Sequence, residues 1–248
     1  MNREIATVDY GSIAAAYAEH REIHPEVFRS LIRGGVVEPH RDVVEVGCGT
    51  GNYILALVEA TDCHGWGVDP DDEMLRIARQ RRRRVGFSQG SAEALRLPST
   101  SFDLVFSVDV IHNVEDLDAA FQEAARVLRP RGKVATVTDS EAVIRARLPL
   151  TAYFPETAEV DLRRYPGIAS ITRSMASAGF VDLDEQTVEF PYELRTAAPY
   201  QEKVFSGLRL ISEEAFQRGL RRLEEDLANA PIPCVSRYTL VWGTKRAA

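Results

Sequence analysis

A short apolar run that passes through three glycines into a helical segment constrains this chain more than any other feature. The segment VVEVGCGTGNY (43–53) places Gly47, Gly49 and Gly51 between a predicted strand and a predicted helix. Glycine adopts backbone conformations that other residues avoid, and the N-terminus of the following helix offers N–H groups to negative charge. The segment therefore predicts a strand–turn–helix unit that binds a nucleoside ligand.

The spacing of these glycines argues against a nicotinamide dinucleotide. The dinucleotide fingerprint is Gly-x-Gly-x-x-Gly, whose glycines make room for a pyrophosphate, whereas this chain has Gly-x-Gly-x-Gly. Asp69 ends the next predicted strand, where a carboxylate can accept both ribose hydroxyls. The pattern favours adenosine recognition. The alternatives are a purely structural glycine turn and a helix cap at Asp69 or Asp71.

Around this unit, short β-type runs alternate with helical stretches from Asp42 to Asp139, which is typical of βαβ units. We predict an α/β, Rossmann-like fold with a doubly wound, mostly parallel seven-stranded sheet. The predicted strands are 43–47, 65–69, 85–89, 102–108, 133–139, 182–190 and 237–244. The predicted helices between and after them are 51–60, 71–82, 116–129, 168–178 and 212–228.

We expect one domain over 1–248, divided into four parts. Residues 1–40 form two N-terminal helices, with Pro25 in the first turn of the second, and 41–140 form the half that contains the glycine turn. Residues 141–207 hold substrate cap insertions after the fifth strand and the sixth strand, and 208–248 hold a closing helix and strand. Within the cap, 141–166 and 191–207 have no regular pattern, so irregular backbone is expected there.

The net charge and the cysteine content limit which partners, metal sites and disulfides are expected. A net charge of −7 argues against nucleic acid as a substrate. The run Arg81–Arg84 is either a helix end, where cations are favourable, or a phosphate patch. Three scattered cysteines predict neither a disulfide framework nor a metal site. With no signal peptide and no long apolar run, we expect a cytoplasmic monomer or homodimer outside the membrane.

Four later segments join the glycine turn in one ordered set: GVDPDDEML, GSAEALRLPSTSFDLVFS, VDVIHNVED and RVLRPRGKVATV. Together they resemble the class I S-adenosylmethionine-dependent methyltransferase superfamily, in its ubiquinone/menaquinone-biosynthesis-type small-molecule branch, over about residues 43–138. The resemblance implies S-adenosyl-L-methionine as cofactor and a small-molecule acceptor methylated at oxygen, nitrogen or carbon. It also implies that 41–140 is the cofactor-binding half and that the helices of 1–40 are lid helices, which fold over the cofactor. The alternatives are other chemistry with the same cofactor, a non-catalytic scaffold and an NAD(P)-dependent oxidoreductase.

The resemblance also implies the cofactor contacts. Glu45 and the three glycines would form the wall on the methionine side, Asp69 would bind the ribose, and Asp109 would lie at the switch point of the sheet. The remaining implied contacts are Tyr17, Cys48, Pro70, Asp71, Met74, Ser91, Ala92 and Glu93. The family often has aspartate where this chain has Ser91, so any adenine contact there depends on a serine hydroxyl.

Methyl transfer needs a nucleophile held in line with the sulfonium methyl group, and a hydroxyl nucleophile also needs a base. His112 is the candidate base because it follows the fourth strand at the carboxyl edge of the sheet; the alternative is that it caps or packs beside the next helix. The candidate acceptor contacts are Tyr10, Arg145, Tyr153, Arg164 and Tyr165. Arginines and aromatic rings suit an aromatic or carboxylate-bearing acceptor, or equally a dimer contact or plain surface.

Overall fold

The computed structural model describes residues 23–81 and 84–247. Tyr10, Tyr17 and the first predicted lid helix lie outside the described residues. The second lid helix is α1 (Pro25–Gly35), which begins as predicted with Pro25 in its first turn. The side chain of His24 caps it, because Nδ1 accepts the Val27 N–H at 3.2 Å.

The strands form one seven-stranded sheet within the described part of the chain. They are β1 (Asp42–Val46), β2 (His64–Asp69), β3 (Val85–Gln89), β4 (Phe102–Val108), β5 (Leu128–Thr138), β6 (Phe180–Leu194) and β7 (Ile232–Lys245). Their order in the sheet is β3-β2-β1-β4-β5-β7-β6. Strands β1 to β5 pair in parallel and β7 is antiparallel to both of its neighbours. The predicted doubly wound, mostly parallel fold is confirmed.

Helices cover both faces of this sheet. After α1 they are α2 (Asn52–Thr61), α3 (Asp72–Gln80), α4 (Leu117–Val127), α5 (Glu141–Ala146), α6 (Leu150–Tyr153), α7 (Glu156–Arg164), α8 (Ile168–Ser177), α9 (Ala198–Gln201) and α10 (Glu213–Asn229). The apolar stripes of α1 and α2, such as Leu31 and Ile54, are buried on one face. Those of α4 and α8, such as Phe121 and Ile171, are buried on the other. No helix in the described ranges is long and apolar enough to cross a membrane.

The end of α4 differs from the prediction. The helix stops at Val127 and β5 starts at once, so 128–132 is strand instead of the predicted helix end and loop. The register between β4 and β5 shifts between Phe102 and Leu104, and Arg131 has a φ of 64°. A bulge therefore absorbs the Pro–Arg–Gly sequence that predicted a stop.

Strands β6 and β7 are longer than the predicted 182–190 and 237–244. β5 ends at Thr138, which pairs with Thr239, so the part of β7 before Thr239 has no β5 residue beside it. That part pairs only with β6, up to Leu194 opposite Ile232. The two strands thus continue past the carboxyl edge of the sheet as a two-stranded ribbon.

The prediction of irregular backbone over 141–166 is wrong, because α5, α6 and α7 occupy most of it. These helices are short and separated by Pro149 and Pro155, so none carries a helical period long enough to recognise. Of the three, α6 packs with α9, α10 and the ribbon around Phe154, Tyr200 and Phe216 in a separate apolar cluster. The second stretch is part strand, part α9 and part 3₁₀ turn (Ser206–Arg209).

The arginine run is described at its two ends. Arg81 follows α3 and donates to the carbonyl of Thr50 at 3.1 Å, and Arg84 pairs with Asp62 at 3.3 Å. Both guanidinium groups therefore have acceptors in the protein itself, which favours the helix-end interpretation over a phosphate patch.

Candidate functional site

The glycine turn joins β1 to α2 at the carboxyl edge of the sheet. Gly47, Gly49 and Gly51 have φ angles of 69°, 52° and 79°, in the left-handed region that favours glycine. The N–H groups of Gly47 and Cys48 both donate to the carbonyl of Val68, at 2.7 and 3.0 Å. The turn is therefore fastened to the end of β2 while it leads into the N-terminus of α2.

Glu45 lies beneath this turn. Its carboxylate accepts the Ile54 N–H at 2.9 Å, so it satisfies a donor in the first turn of α2 from inside the protein. The side chain is only 3% exposed, and burial raises the pKa of its carboxyl group well above the ordinary value. The nearby charge of Asp69 raises this pKa further. Glu45 thus holds the glycine turn against α2, although burial and the charge of Asp69 both disfavour its ionised form.

Asp69, at the end of β2, joins the turn to the start of α3. One of its oxygens accepts the Gly49 N–H at 2.7 Å and the other accepts the Asp71 N–H at 2.9 Å. Burial raises the pKa of this carboxyl group. Asp71 itself is the N-cap of α3, accepting from Glu73 and Met74. The helix cap considered for both aspartates is therefore Asp71, while Asp69 binds the glycine turn.

The end of β4 meets the glycine turn where the strand order reverses. A Cβ atom on Gly47 would lie 2.3 Å from Cγ2 of Val110, so β1 and β4 are in close contact here. Asp109, with a φ of 58°, donates its N–H to Val137 at 3.0 Å and accepts from the Tyr238 hydroxyl at 2.9 Å. This carboxylate therefore links the switch point to the ribbon.

A cavity of about 130 Å³ opens beside Asp109, between the edge of the sheet, the helices α5 to α7 and the ribbon. We call it the cap cavity. Its walls include the four tyrosines 165, 192, 200 and 238, the three aspartates 109, 139 and 161, and His112. His112, in a 3₁₀ turn (Ile111–Asn113), stacks on Tyr165 with ring centroids 4.2 Å apart and planes 21° apart. The cap cavity thus combines aromatic rings, carboxylates and an imidazole.

A buried ionic network forms one wall of the cap cavity. Arg147 donates to Asp139, at 2.9 Å, and to Asp161. Asp161 also pairs with Arg164 at 3.1 Å, and Arg164 donates to Ser206. Asp161 and Arg164 are 2% and 3% exposed, and the two carboxylates raise the pKa of Arg147. The network joins the end of β5 to α7 and to the 3₁₀ turn at Ser206.

Comparison with known proteins places this geometry in a family. Residues 44–136 match the model of a family described as a methyltransferase domain. Malonyl-[acyl-carrier protein] O-methyltransferase of Methylococcus capsulatus is 31% identical over 94% of this chain and 81% of its own length. The chain belongs to the S-adenosylmethionine-dependent methyltransferases.

Two further comparisons bear on the methyltransferase. Demethylmenaquinone methyltransferase of Listeria monocytogenes is 29% identical over 71% of this chain and 74% of its own length. The fold is shared with Haemonchus contortus phosphoethanolamine N-methyltransferase 2, solved with phosphomonomethylethanolamine and S-adenosylhomocysteine. That comparison has a TM-score of 0.61 at 19% identity, covering 96% of this chain and 58% of the other.

Most sequence-predicted cofactor residues of the methyltransferase lie along one edge of the sheet. Glu45, Gly47, Cys48, Gly49, Gly51, Asp69 and Pro70 surround the ends of β1 and β2. Met74 is buried in α3, and Ser91 and Ala92 are partly exposed in the loop after β3. Glu93 has a different environment: its carboxylate accepts the Glu115 N–H at 3.0 Å, before α4.

The predicted acceptor residues are divided by the structure. Tyr165 and His112 line the cap cavity, and Arg164 contacts its wall through Asp161. Arg145 is exposed and pairs with Glu141 at 2.9 Å on the outer face of α5. The hydroxyl of Tyr153 donates to Asp226 of α10 at 2.6 Å; burial, chiefly, raises its pKa to about 12. The cavity therefore does not bring together all the residues expected in it.

Arg147, Asp139, Asp161 and the ribbon tyrosines were missed by sequence reasoning. Asp139 did carry a usable signal, since it is an acidic residue directly after a parallel strand, as Asp69 and Asp109 are. Arg147 carried none, because its partners come from β5 and α7. Among the described residues, no group of three or more histidine, cysteine or acidic side chains is arranged to hold a metal ion.

Proposed function

We propose that the glycine turn and Asp69 hold S-adenosylmethionine, and that the cap cavity holds the acceptor beside it. The observation that carries this is the contact between Gly47 and Val110, because it sets the glycine turn directly against the end of β4, from which Asp109 and His112 enter the cap cavity. One edge of the sheet thus offers a nucleoside site with a cavity next to it, and switch points are where α/β folds bind ligands.

The residues at this edge fit the cofactor chemically. Each oxygen of Asp69 accepts one backbone N–H and can accept a second donor, so the carboxylate suits two ribose hydroxyls. The glycine turn allows close approach of a ligand without a side chain in the way. Asp71 continues this surface toward the ribose, and Ser91 and Ala92, both partly exposed, continue it toward the adenine, with Met74 buried beneath them in α3.

The chain's own contribution to the reaction is to orient the acceptor, exclude water and accept a proton. S-adenosylmethionine, when bound, supplies a methyl group that is already electrophilic. Holding the acceptor in line with that methyl group can contribute about 7–11 kcal/mol. We propose that His112, fixed by stacking on Tyr165, takes the acceptor's proton where the acceptor needs to lose one.

Titration calorimetry with S-adenosylmethionine and S-adenosylhomocysteine tests the cofactor site, with NAD⁺ and NADPH as controls. We expect binding of the first two only, and a loss of at least about tenfold in affinity in Asp69→Ala, because two ribose contacts depend on this carboxylate. Asp72→Asn, an exposed aspartate three residues away, is the control and should bind normally. Unchanged affinity in Asp69→Ala would remove the ribose assignment.

The role of His112 is tested by His112→Asn. If His112 is the base, kcat should fall about 100-fold or more and lose its dependence on pH, while affinity for S-adenosylhomocysteine stays the same. Normal turnover with an unchanged pH profile would make His112 a packing partner of Tyr165 only.

We also propose that nucleic acid is not an acceptor, that the enzyme acts as a monomer or homodimer, and that it works in the cytoplasm. The net charge of −7 supports the first point. The three cysteines, all buried and without disulfides, suit a reducing compartment. Sedimentation of the purified enzyme would decide the oligomeric state.

A further inference from the structure

Both arginines that line the cap cavity are already paired with acidic side chains. Arg147 already donates to two carboxylates, those of Asp139 and Asp161. The other arginine on the wall, Arg237, donates to Glu189 on the outer side of the ribbon at 2.6 Å. An acceptor carboxylate entering the cavity would therefore meet guanidinium groups that acidic side chains already neutralise, and would add another negative charge beside them.

The pKa of Tyr165 reflects the charges on the cavity wall. Burial raises the pKa of its hydroxyl well above the ordinary value, and the charges of Asp139, Asp109 and Asp161 raise it further, while Arg147 alone opposes them. Burial itself opposes charge of either sign at this hydroxyl, and the three carboxylates add a preference for a cation over an anion there.

Aromatic rings add an attraction of the same sign. The rings of Tyr165, Tyr192, Tyr200 and Phe205 all line the cap cavity, and those of Tyr200 and Phe205 lie 5.0 Å apart. Ring faces carry partial negative charge and bind ammonium groups, most strongly where water is excluded. A cavity lined by aromatic rings, together with the carboxylate of Asp109, which accepts from the Tyr238 hydroxyl and not from an arginine in the contacts above, has the chemistry of an amine site.

We infer that the acceptor presents a basic nitrogen to the cap cavity, held as an ammonium group by the aromatic rings and the carboxylate of Asp109, and that the reaction is N-methylation. The inference rests on the proposed function. The ammonium first loses a proton to His112, and the freed lone pair then forms the N–CH₃ bond. The S–CH₃ bond breaks with its electron pair left on sulfur, giving the methylated ammonium cation, S-adenosylhomocysteine and the one proton taken by His112.

The test uses the full-length enzyme saturated with S-adenosylhomocysteine and matched ligands that differ in one group. The probes are 2-phenylethylamine, 2-phenylethanol and 3-phenylpropanoate, and the corresponding amine, alcohol and acid on indole and cyclohexyl frames. Affinity is measured by calorimetry, and methyl transfer is followed with S-adenosylmethionine. We expect the amine to bind at least about tenfold more tightly than the alcohol, and the acid most weakly.

Two variants locate the effect. Asp109→Asn keeps an oxygen that can accept from Tyr238 but removes the charge, so the preference for amine over alcohol should shrink about tenfold. Asp184→Asn removes an exposed charge from β6 and should leave the preference as it is. Equal or tighter binding of the acids, or no amine bound in any series, would overturn the inference while the cofactor site stands. Failure to bind S-adenosylhomocysteine would instead overturn the proposed function.

Discussion

The glycine turn and the cap cavity adjoin at the ends of β1 and β4, but they are held together in different ways. The turn is fixed by backbone N–H groups that donate to the carboxylates of Glu45 and Asp69. The cavity wall is fixed by ion pairs between side chains after β5 and in α7, and by the hydrogen bond from Arg164 to Ser206. A change in the turn should therefore alter the backbone that faces the cofactor, whereas a change in the network should leave buried charges without partners.

The difference also separates the part of the site that binds the cofactor from the part that selects the acceptor. A glycine turn with an acidic strand end can serve any acceptor, because it contacts only the cofactor. The cavity takes Asp109, His112 and Asp139 from the ends of parallel strands, but much of the rest of its lining comes from the insertion and the ribbon, which can vary without altering those strands. The two relatives, one named for an acyl-carrier-protein substrate and one for demethylmenaquinone, differ in acceptor accordingly.

The largest effect should follow from breaking the ionic network. Asp161→Ala leaves Arg147 and Arg164 without a shared carboxylate in a buried setting, and we expect the free energy of unfolding to fall by about 3–5 kcal/mol. Urea denaturation measures this. Glu141→Ala, which breaks the exposed pair with Arg145, is the control and should cost less than about 1 kcal/mol. Similar costs for both would mean that the network does not hold the cap together.

A smaller loss is expected from the glycine turn. In Gly47→Ala the new Cβ would lie 2.3 Å from Val110 at a φ of 69°, so overpacking and backbone strain should together cost about 2–4 kcal/mol. Affinity for S-adenosylhomocysteine should fall with it. Gly167→Ala, with no atom within 4 Å of the added Cβ and a φ of −61°, should stay within about 1 kcal/mol of the wild type. Equal destabilisation by both changes would contradict the close packing of β1 against β4.

The same contrast explains what could be predicted from the sequence. The glycine turn and Asp69 were predictable because their geometry depends on neighbouring residues and strand ends. The cavity was not predictable. α5 ends at Ala146, so helical periodicity does not indicate that Arg147 faces inward while Arg145 faces solvent. The lengths of β6 and β7 were underestimated because the part of β7 before Thr239 pairs only with β6, and no sequence pattern in either strand alone reveals that pairing.

The smallest effect concerns His24, which connects the two regions, because its backbone N–H donates to the hydroxyl of Tyr53, just after the glycine turn, at 2.9 Å and its ring contacts the ribbon. Nδ1 accepts the Val27 N–H at 3.2 Å, so the neutral ring carries its proton on Nε2 and can donate to the Ser236 carbonyl, 3.3 Å away on the ribbon. Burial lowers the pKa of His24 below its ordinary 6.5. The folded state therefore binds fewer protons than the unfolded state below pH 6.5, and stability should fall as the pH is lowered through this range.

His24→Asn keeps an N-capping oxygen but removes the titrating ring, so the free energy of unfolding should depend less on pH between 7.5 and 5.5. The change in slope should be smaller than the about 1.4 kcal/mol per pH unit that one full proton gives. His40→Asn, at an exposed histidine with a φ of 67° that asparagine tolerates, is the matched control. If both variants keep the wild-type slope, His24 does not couple protonation to the contact between α1 and the ribbon, and the two regions are joined there by packing against Tyr238 instead.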